Sequence, residues 1–182
     1  MTTPDVNVAA TLRDMRLGLL LAFLGTLFGF GMGGVFGAFE EPMKAGLRAD
    51  AEAVLTTTYA GDAAKMKEVL DKSWAYMKRA HLHGGAIGAA ALAAILAMAL
   101  VGGGPALLRK LAAIGLGIGS LGYPIFWLLA GDRAPGMGST GAAKESLEWL
   151  AVPTSGLALL GLVLSLVSVA WGLYGAPRPS RP

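Results

Sequence analysis

The only two histidines of the 182-residue chain stand two positions apart, His81 and His83, and they carry most of the chemistry its composition allows. Imidazole is a common ligand for haem, copper and zinc, and as a residue type it suits proton transfer near neutral pH. The chain has no cysteine, so disulfides, thiolate metal sites and covalently attached c-type haem are excluded. Residues two apart on a straight helix point about 200° away from each other. His81 and His83 therefore face one ligand together only if the backbone opens at Gly84-Gly85. A haem b held between two axial histidines would take the second from another copy or another subunit. A copper or zinc site built on His81 and His83 needs further donors, for which Glu145, Glu40, Glu41, Glu148 and Met77 are the candidates. The plainer expectation for both histidines is a boundary position with ordinary hydrogen-bond partners.

The element that must position them runs from Asp62 to Val101. Apolar or small residues recur at Met66, Leu70, Trp74, Met77, His81, Gly84, Gly88, Leu92 and Ile95, which is helical spacing throughout. The pattern predicts one continuous helix, half in water and half in lipid, with His81 on its inward stripe at the boundary. Asp62 is the expected N-cap, and Glu68 and Lys72 the expected i,i+4 pair on the wet face.

Composition assigns the rest of the chain to the same solvent. Hydrophobic residues make up 54% and the mean hydropathy is +0.58, too apolar for an ordinary water-soluble domain. Four runs lack Asp, Glu, Lys and Arg: Leu17 to Phe39, His81 to Leu108, Leu111 to Gly131 and Trp149 to Pro177. Each reaches the roughly 20 residues needed to cross the hydrocarbon core. The expected fold class is all-α: an integral membrane four-helix bundle with an extramembrane helical hairpin between helices 1 and 2. It forms a single membrane domain over 1–182, with spans near 17–39, 81–103, 109–131 and 152–175 and the insertion at 40–80. The first run is longer than the apolar core of a signal peptide and no A-x-A site follows it, so it is expected to remain.

Lipid gives helices no hydrophobic drive to associate, and small residues that let backbones touch supply the packing instead. Gly25, Gly29, Gly33 and Gly37 repeat every four residues in the first span, and Gly115, Gly119 and Gly122 follow Ala112 in the third. Gly161, Ser165, Ser168 and Gly172 make a similar stripe in the fourth. Between the first two spans, Glu40-Glu41-Pro42 ends the first helix, and Met43 to Leu55 forms a short amphipathic helix broken by Thr56-Thr57-Thr58 and Gly61. Tyr123-Pro124 is expected to kink the third span; beside Ser120 and Tyr123 such a kink either opens a polar pocket or is purely structural, as kinks in membrane helices commonly are. Gly131 to Gly141 is a turn or flexible link, Ala142 to Leu150 lies along the surface with Trp149 as anchor, and Pro153 opens the fourth helix. Met1 to Thr11 and the final APRPSRP are expected to be irregular.

Charge gives an orientation. Arg13 and Arg16 precede the first span, Glu40 and Glu41 follow it, and Arg109-Lys110 is a purely basic connection, which places both termini in the cytoplasm of a bacterial inner membrane. A plain count points the other way, with nine Lys/Arg on the side of 40–80 and 132–148 against six; the first helix and the short connection are given more weight. The net charge of +3 is spread over loops without a dense basic patch, and no nucleic-acid partner is implied.

The order of features resembles the small four-helix membrane family called domain of unknown function 423. The matching residues are Gly37-Ala38-Phe39 closing the first span, Trp74 and Tyr76 approaching His81 or His83, and Gly119-Ser120-Leu121-Gly122-Tyr123 in the third. The family pattern carries Ala-His after Gly-Ala-Phe, where this chain has Glu40-Glu41. The resemblance implies a fold and no reaction. Ionisable groups inside the spans would mark a transporter or channel, and all four cores lack Asp, Glu, Lys and Arg. No nucleophile, base and orienting group can be picked out as a set. The expected function is therefore helix packing, as a self-associating protein (a homo-oligomer) or an accessory subunit of a larger membrane complex. The runner-up is a haem- or metal-binding redox subunit using His81.

Overall fold

The computed structural model describes residues 7–101 and 103–175, and among these every regular element is helical. The helices are α1 (Val8–Asp14), α2 (Arg16–Ala53), α3 (Ala63–Val101), α4 (Ala106–Met137), α5 (Thr140–Glu145) and α6 (Glu148–Tyr174). Four of them, α2, α3, α4 and α6, are long and apolar enough to cross a membrane. At 39 residues, α3 is about 58 Å long at 1.5 Å per residue, nearly twice the roughly 30 Å of a hydrocarbon core.

Helix α4 is the centre of the bundle. It packs against α2, α3 and α6, whereas α6 leans chiefly on α4. Half of the most apolar stretch of α4 is buried, against 17% for α6. A helix enclosed on three sides needs small residues where backbones cross, and α4 supplies them. A Cβ on Gly119 would fall on Ala158 of α6, one on Gly115 would come within 2.7 Å of the Leu157 carbonyl oxygen, and one on Gly117 would lie 2.6 Å from the Gly18 carbonyl of α2. The outer faces of α2 and α6 show the opposite composition, exposing Phe23, Leu27 and Phe30 on the first and Leu159, Val163 and Leu166 on the second.

The continuous helix expected from 62 onward is present, and Asp62 caps it: its Oδ1 accepts from the Lys65 backbone N–H at 2.9 Å. The Glu68–Lys72 pair forms at 2.5 Å. Other boundaries differ from the sequence reading. At Glu40-Glu41-Pro42 the expected break is present but lasts a single residue, and the helix beyond it starts at Glu40 and not at Met43. The backbone leaves helical geometry at Phe39 alone (φ −131°, ψ 24°) and resumes through Glu40 to Ala53. Pro42 then sits in the first turn after a break, where its missing N–H has no partner to lose.

Gly131 to Gly141 is not a flexible link. Helix α4 continues through Pro124 and Pro135 to Met137 and stops at Gly138, whose φ of 62° is the left-handed geometry of a C-cap. Tertiary contacts outweigh the glycine and proline here. Gly131 lies against the Ser73 carbonyl and Met77 of α3, and the buried Tyr59 hydroxyl donates to the Pro135 carbonyl at 2.8 Å. Ser139 caps α5 through the Ala142 N–H, and α5 ends at Glu145, short of Trp149. Helix α6 begins at Glu148, so Pro153 falls in its second turn. Arg109 and Lys110 form no connection and lie in the first turns of α4, where the Arg109 guanidinium donates to the carbonyls of Gly103 and Gly104. From Asn7 the N-terminal lead is ordered: Asn7 caps α1, which rests Val8 and Leu12 on the core around Ile95 and Met98. The APRPSRP tail lies outside the described residues.

Candidate functional site

His81 and His83 point into different neighbourhoods, as their spacing on a straight helix requires. His81 faces α2. Its Nδ1 lies 2.7 Å from the Gly29 carbonyl oxygen; a carbonyl can only accept, so Nδ1 carries the hydrogen and Nε2 is left as the free ring nitrogen. The ring occupies the space above Gly33, where a Cβ would come within 2.6 Å of Cε1. Phe36 meets it edge-on with centroids 6.2 Å apart, and Trp74 meets Phe36 at 5.2 Å. Above them the Lys44 ammonium sits 5.3 Å from the Trp74 ring. This column runs from the glycine contact of α2 and α3 up to a groove of about 540 Å³ rimmed by Lys44, Arg48, Lys78, Glu41 and Asp71.

His83 faces α4. Its Nδ1 lies 2.9 Å from the carbonyl of Arg79, four residues earlier on its own helix. Its ring packs against Tyr123 at 5.4 Å and Trp127 at 6.3 Å. The Arg79 guanidinium covers Trp127 at 4.9 Å and Tyr76 at 5.3 Å, a stacked cation–π arrangement that screens these faces. Ser120 is fully buried, its hydroxyl bonded to the Gly117 carbonyl. It packs into the α2 contact beside Gly25, where a polar pocket was one of the two expectations.

The metal set drawn from the sequence is not assembled. Among the described residues no group of three or more His, Asp or Glu is placed to hold a metal ion. Glu145 ends α5 and is exposed, while His81 and His83 diverge on α3. The second ligand that a bis-histidine haem would need is likewise not supplied by His83.

The glycine contacts assign each predicted packing residue. A Cβ on Gly25 would lie 2.6 Å from the Ser120 carbonyl oxygen of α4, and one on Gly29 would fall on the Gly85 backbone nitrogen of α3. Gly33 seats the His81 ring. Gly37 meets nothing within 4 Å, so its expected packing role is not found. The reason is helical drift: each four-residue step overshoots a full turn by about 40°, so Gly37 is rotated roughly 120° from Gly25. The stripe winds from α4 to α3 and then out of the interface. Gly115 and Gly119, by contrast, both meet α6.

Sequence reading missed the seat that Gly33 provides for His81 and the stacking of Lys44 and Arg79 on tryptophan. It also missed Tyr59, for which a signal existed: a lone large aromatic inside the small and polar run from Thr56 to Gly61 is a candidate anchor. No protein-family model, no curated protein and no solved structure matches this chain.

Proposed function

We propose that this chain is an integral membrane protein that acts by helix packing, either as a homo-oligomer or as an accessory subunit of a larger membrane complex. The outward leucines, phenylalanines and valines of α2 and α6 suit contact with lipid, and the charged ends of α2 and α3 suit a hairpin standing in water. Arg13, Arg16, Arg109 and Lys110 lie at the opposite end, which supports cytoplasmic termini in a bacterial inner membrane. Kinship with the domain of unknown function 423 family belongs to the same proposal, with Gly119 to Tyr123 on the central helix.

The observation that carries this reading is on the outer face of α2. Gly31, Gly34 and Gly37 are exposed there, and a Cβ on any of them would meet nothing within 4 Å. Small residues on an otherwise bulky apolar helix let a second helix approach closely. Light scattering of the protein in mild detergent tests it. The parent is expected as a multimer or as part of a co-purifying complex, and Gly34→Leu as a folded protein of lower molar mass. A monomeric parent that purifies alone and is unchanged by Gly34→Leu would overturn the proposal.

A second reading has its own support. The Gly29 carbonyl fixes the His81 tautomer that leaves Nε2 free, the arrangement in which a backbone oxygen orients a metal-ligating imidazole. On this reading His81 would be a ligand to a haem b, with a further ligand supplied by another subunit. A Soret band lost in His81→Ala and kept in His83→Ala would favour it.

A further inference from the structure

At the end of the bundle remote from His81, a groove of about 650 Å³ lies between the α1–α2 junction and the first turns of α4. Its rim carries Arg13, Arg16 and Lys110 against a single carboxylate, Asp14. Among the described residues no ion pair reaches any of these three cations. Three lysines elsewhere, Lys44, Lys67 and Lys72, each lie beside a carboxylate three or four residues away. Three like charges around one groove repel one another and favour an anion between them.

The wall of this groove is apolar. Leu17 and Leu107 line it at 53% and 65% exposure, and Leu111, at 51%, continues the surface down α4. A free phosphate or a nucleotide would leave that wall uncovered. A molecule with a phosphate at one end and a hydrocarbon chain at the other covers both parts. We propose that the groove binds an anionic phospholipid, its phosphate between Arg13, Arg16 and Lys110 and one acyl chain along Leu17, Leu107 and Leu111. The first turn of α4, which has no side-chain cap, lines the same groove and adds to the preference for negative charge. This inference rests on the reading of α2 and α4 as membrane-crossing helices.

The groove at the other end serves as an internal control. It also carries three cations, Lys44, Arg48 and Lys78, but with Glu41 and Asp71 beside them and with Lys44 paired to Glu40 and Glu41. Near-balanced charge gives little reason to select an anionic lipid over a zwitterionic one.

Native mass spectrometry of the full chain in mild detergent, titrated with phosphatidylglycerol or phosphatidylcholine, tests the proposal. The parent is expected to retain phosphatidylglycerol roughly tenfold or more over phosphatidylcholine, given the attraction of each basic side chain for an anionic headgroup. The triple variant Arg13→Gln, Arg16→Gln, Lys110→Gln should fall to parity, Arg13→Gln alone should lie between, and Lys44→Gln with Lys78→Gln should behave as the parent. Equal retention of the two lipids by the parent, or undiminished selectivity in the triple variant, would overturn it. So would displacement of phosphatidylglycerol by millimolar inorganic phosphate, which would mark a phosphate site. Resistance of the membrane-associated protein to alkaline carbonate extraction is measured alongside. A protein that resists extraction yet shows no lipid preference loses only the lipid site, whereas one released by carbonate loses the membrane reading as well.

Discussion

The α2–α3 pair is held by opposite devices at its two ends. In the middle of the bundle the contact is made by removing side chains: Gly29 lies on Gly84 and Gly85, and Gly88 lies on Thr26. Toward the charged end it is made by inserting them, with Phe36, Leu47 and Met77 in one cluster and Tyr59, Ala51 and Val69 in another. Where burial in water supplies no drive, backbone proximity and dispersion must hold helices together. Where water surrounds the pair, large apolar side chains gain from leaving it. On the membrane reading proposed above, the two ends differ as those of a helix pair leaving a bilayer should.

The comparison breaks most visibly at Gly29. Leucine there would drive a Cβ into the Gly85 backbone, which no rotamer change relieves. The expected cost is at least about 3 kcal/mol, at the upper end of what overpacking produces. Thermal unfolding in detergent should show a large loss of stability or yield, while Leu47→Ala at the side-chain end should cost about 2–5 kcal/mol through a cavity instead. If Gly29→Leu melts with the parent, the backbones do not touch there.

Gly33 and His81 sharpen the same comparison, because there a missing side chain on one helix makes room for a ring from the other. Gly33→Ala should cost about 1–3 kcal/mol by displacing the imidazole. His81→Ala should cost about 1 kcal/mol, since hydrogen bonds between membrane helices are individually modest. The two losses should not add: with His81 already truncated, Gly33→Ala meets no ring, and the double variant should be less destabilised than the sum. Additive losses would mean that the ring does not rest on Gly33.

At the side-chain end the corresponding tie is Tyr59. Its hydroxyl bonds the Pro135 carbonyl, and burial raises its pKa above the ordinary value of 10.0. Tyr59→Phe is expected to cost about 1 kcal/mol. The pH dependence has a fixed sign. The folded chain holds the phenolic proton to higher pH than the unfolded chain, so this stability is fully present below about pH 10 and is lost as pH rises beyond it. The parent should lose stability more steeply than Tyr59→Phe above about pH 10, which alkaline unfolding curves would read. Parallel curves would refute the role given to Tyr59.

How much of this was legible in the sequence follows from the same division. The four long apolar helices were legible because each contains an uncharged apolar run of roughly 20 residues or more, long enough to cross a bilayer. The long helix through His81 was legible because its apolar residues keep one period from Met66 to Ile95. The divergence of His81 and His83 was legible from spacing alone. The end of α4 and the start of α6 were not: Gly131 and Pro135 favour breaks locally and are overruled by contacts with Ser73, Met77 and Tyr59 that sequence order does not reveal, and Pro153 falls in the second turn of α6. The glycine stripe was legible as packing. Its partners were not, because the same residues drift across three environments: α4, then α3, then open space.

That drift sets up the smallest expected effect and the one with the opposite sign. Gly29 and Gly34 belong to the same helix, and only the neighbours of the first forbid a side chain. Gly34→Ala adds a methyl to open space and removes the entropic penalty of glycine in a helix, so the isolated bundle should gain about 0.5–1 kcal/mol. If α2 meets a second helix at that face, the same methyl should weaken association while the fold grows more stable. Unfolding temperature and molar mass, measured on one sample, would then move in opposite directions. If both rise or neither changes, the outer glycines serve no contact, and the packing role of α2 ends at its inner face.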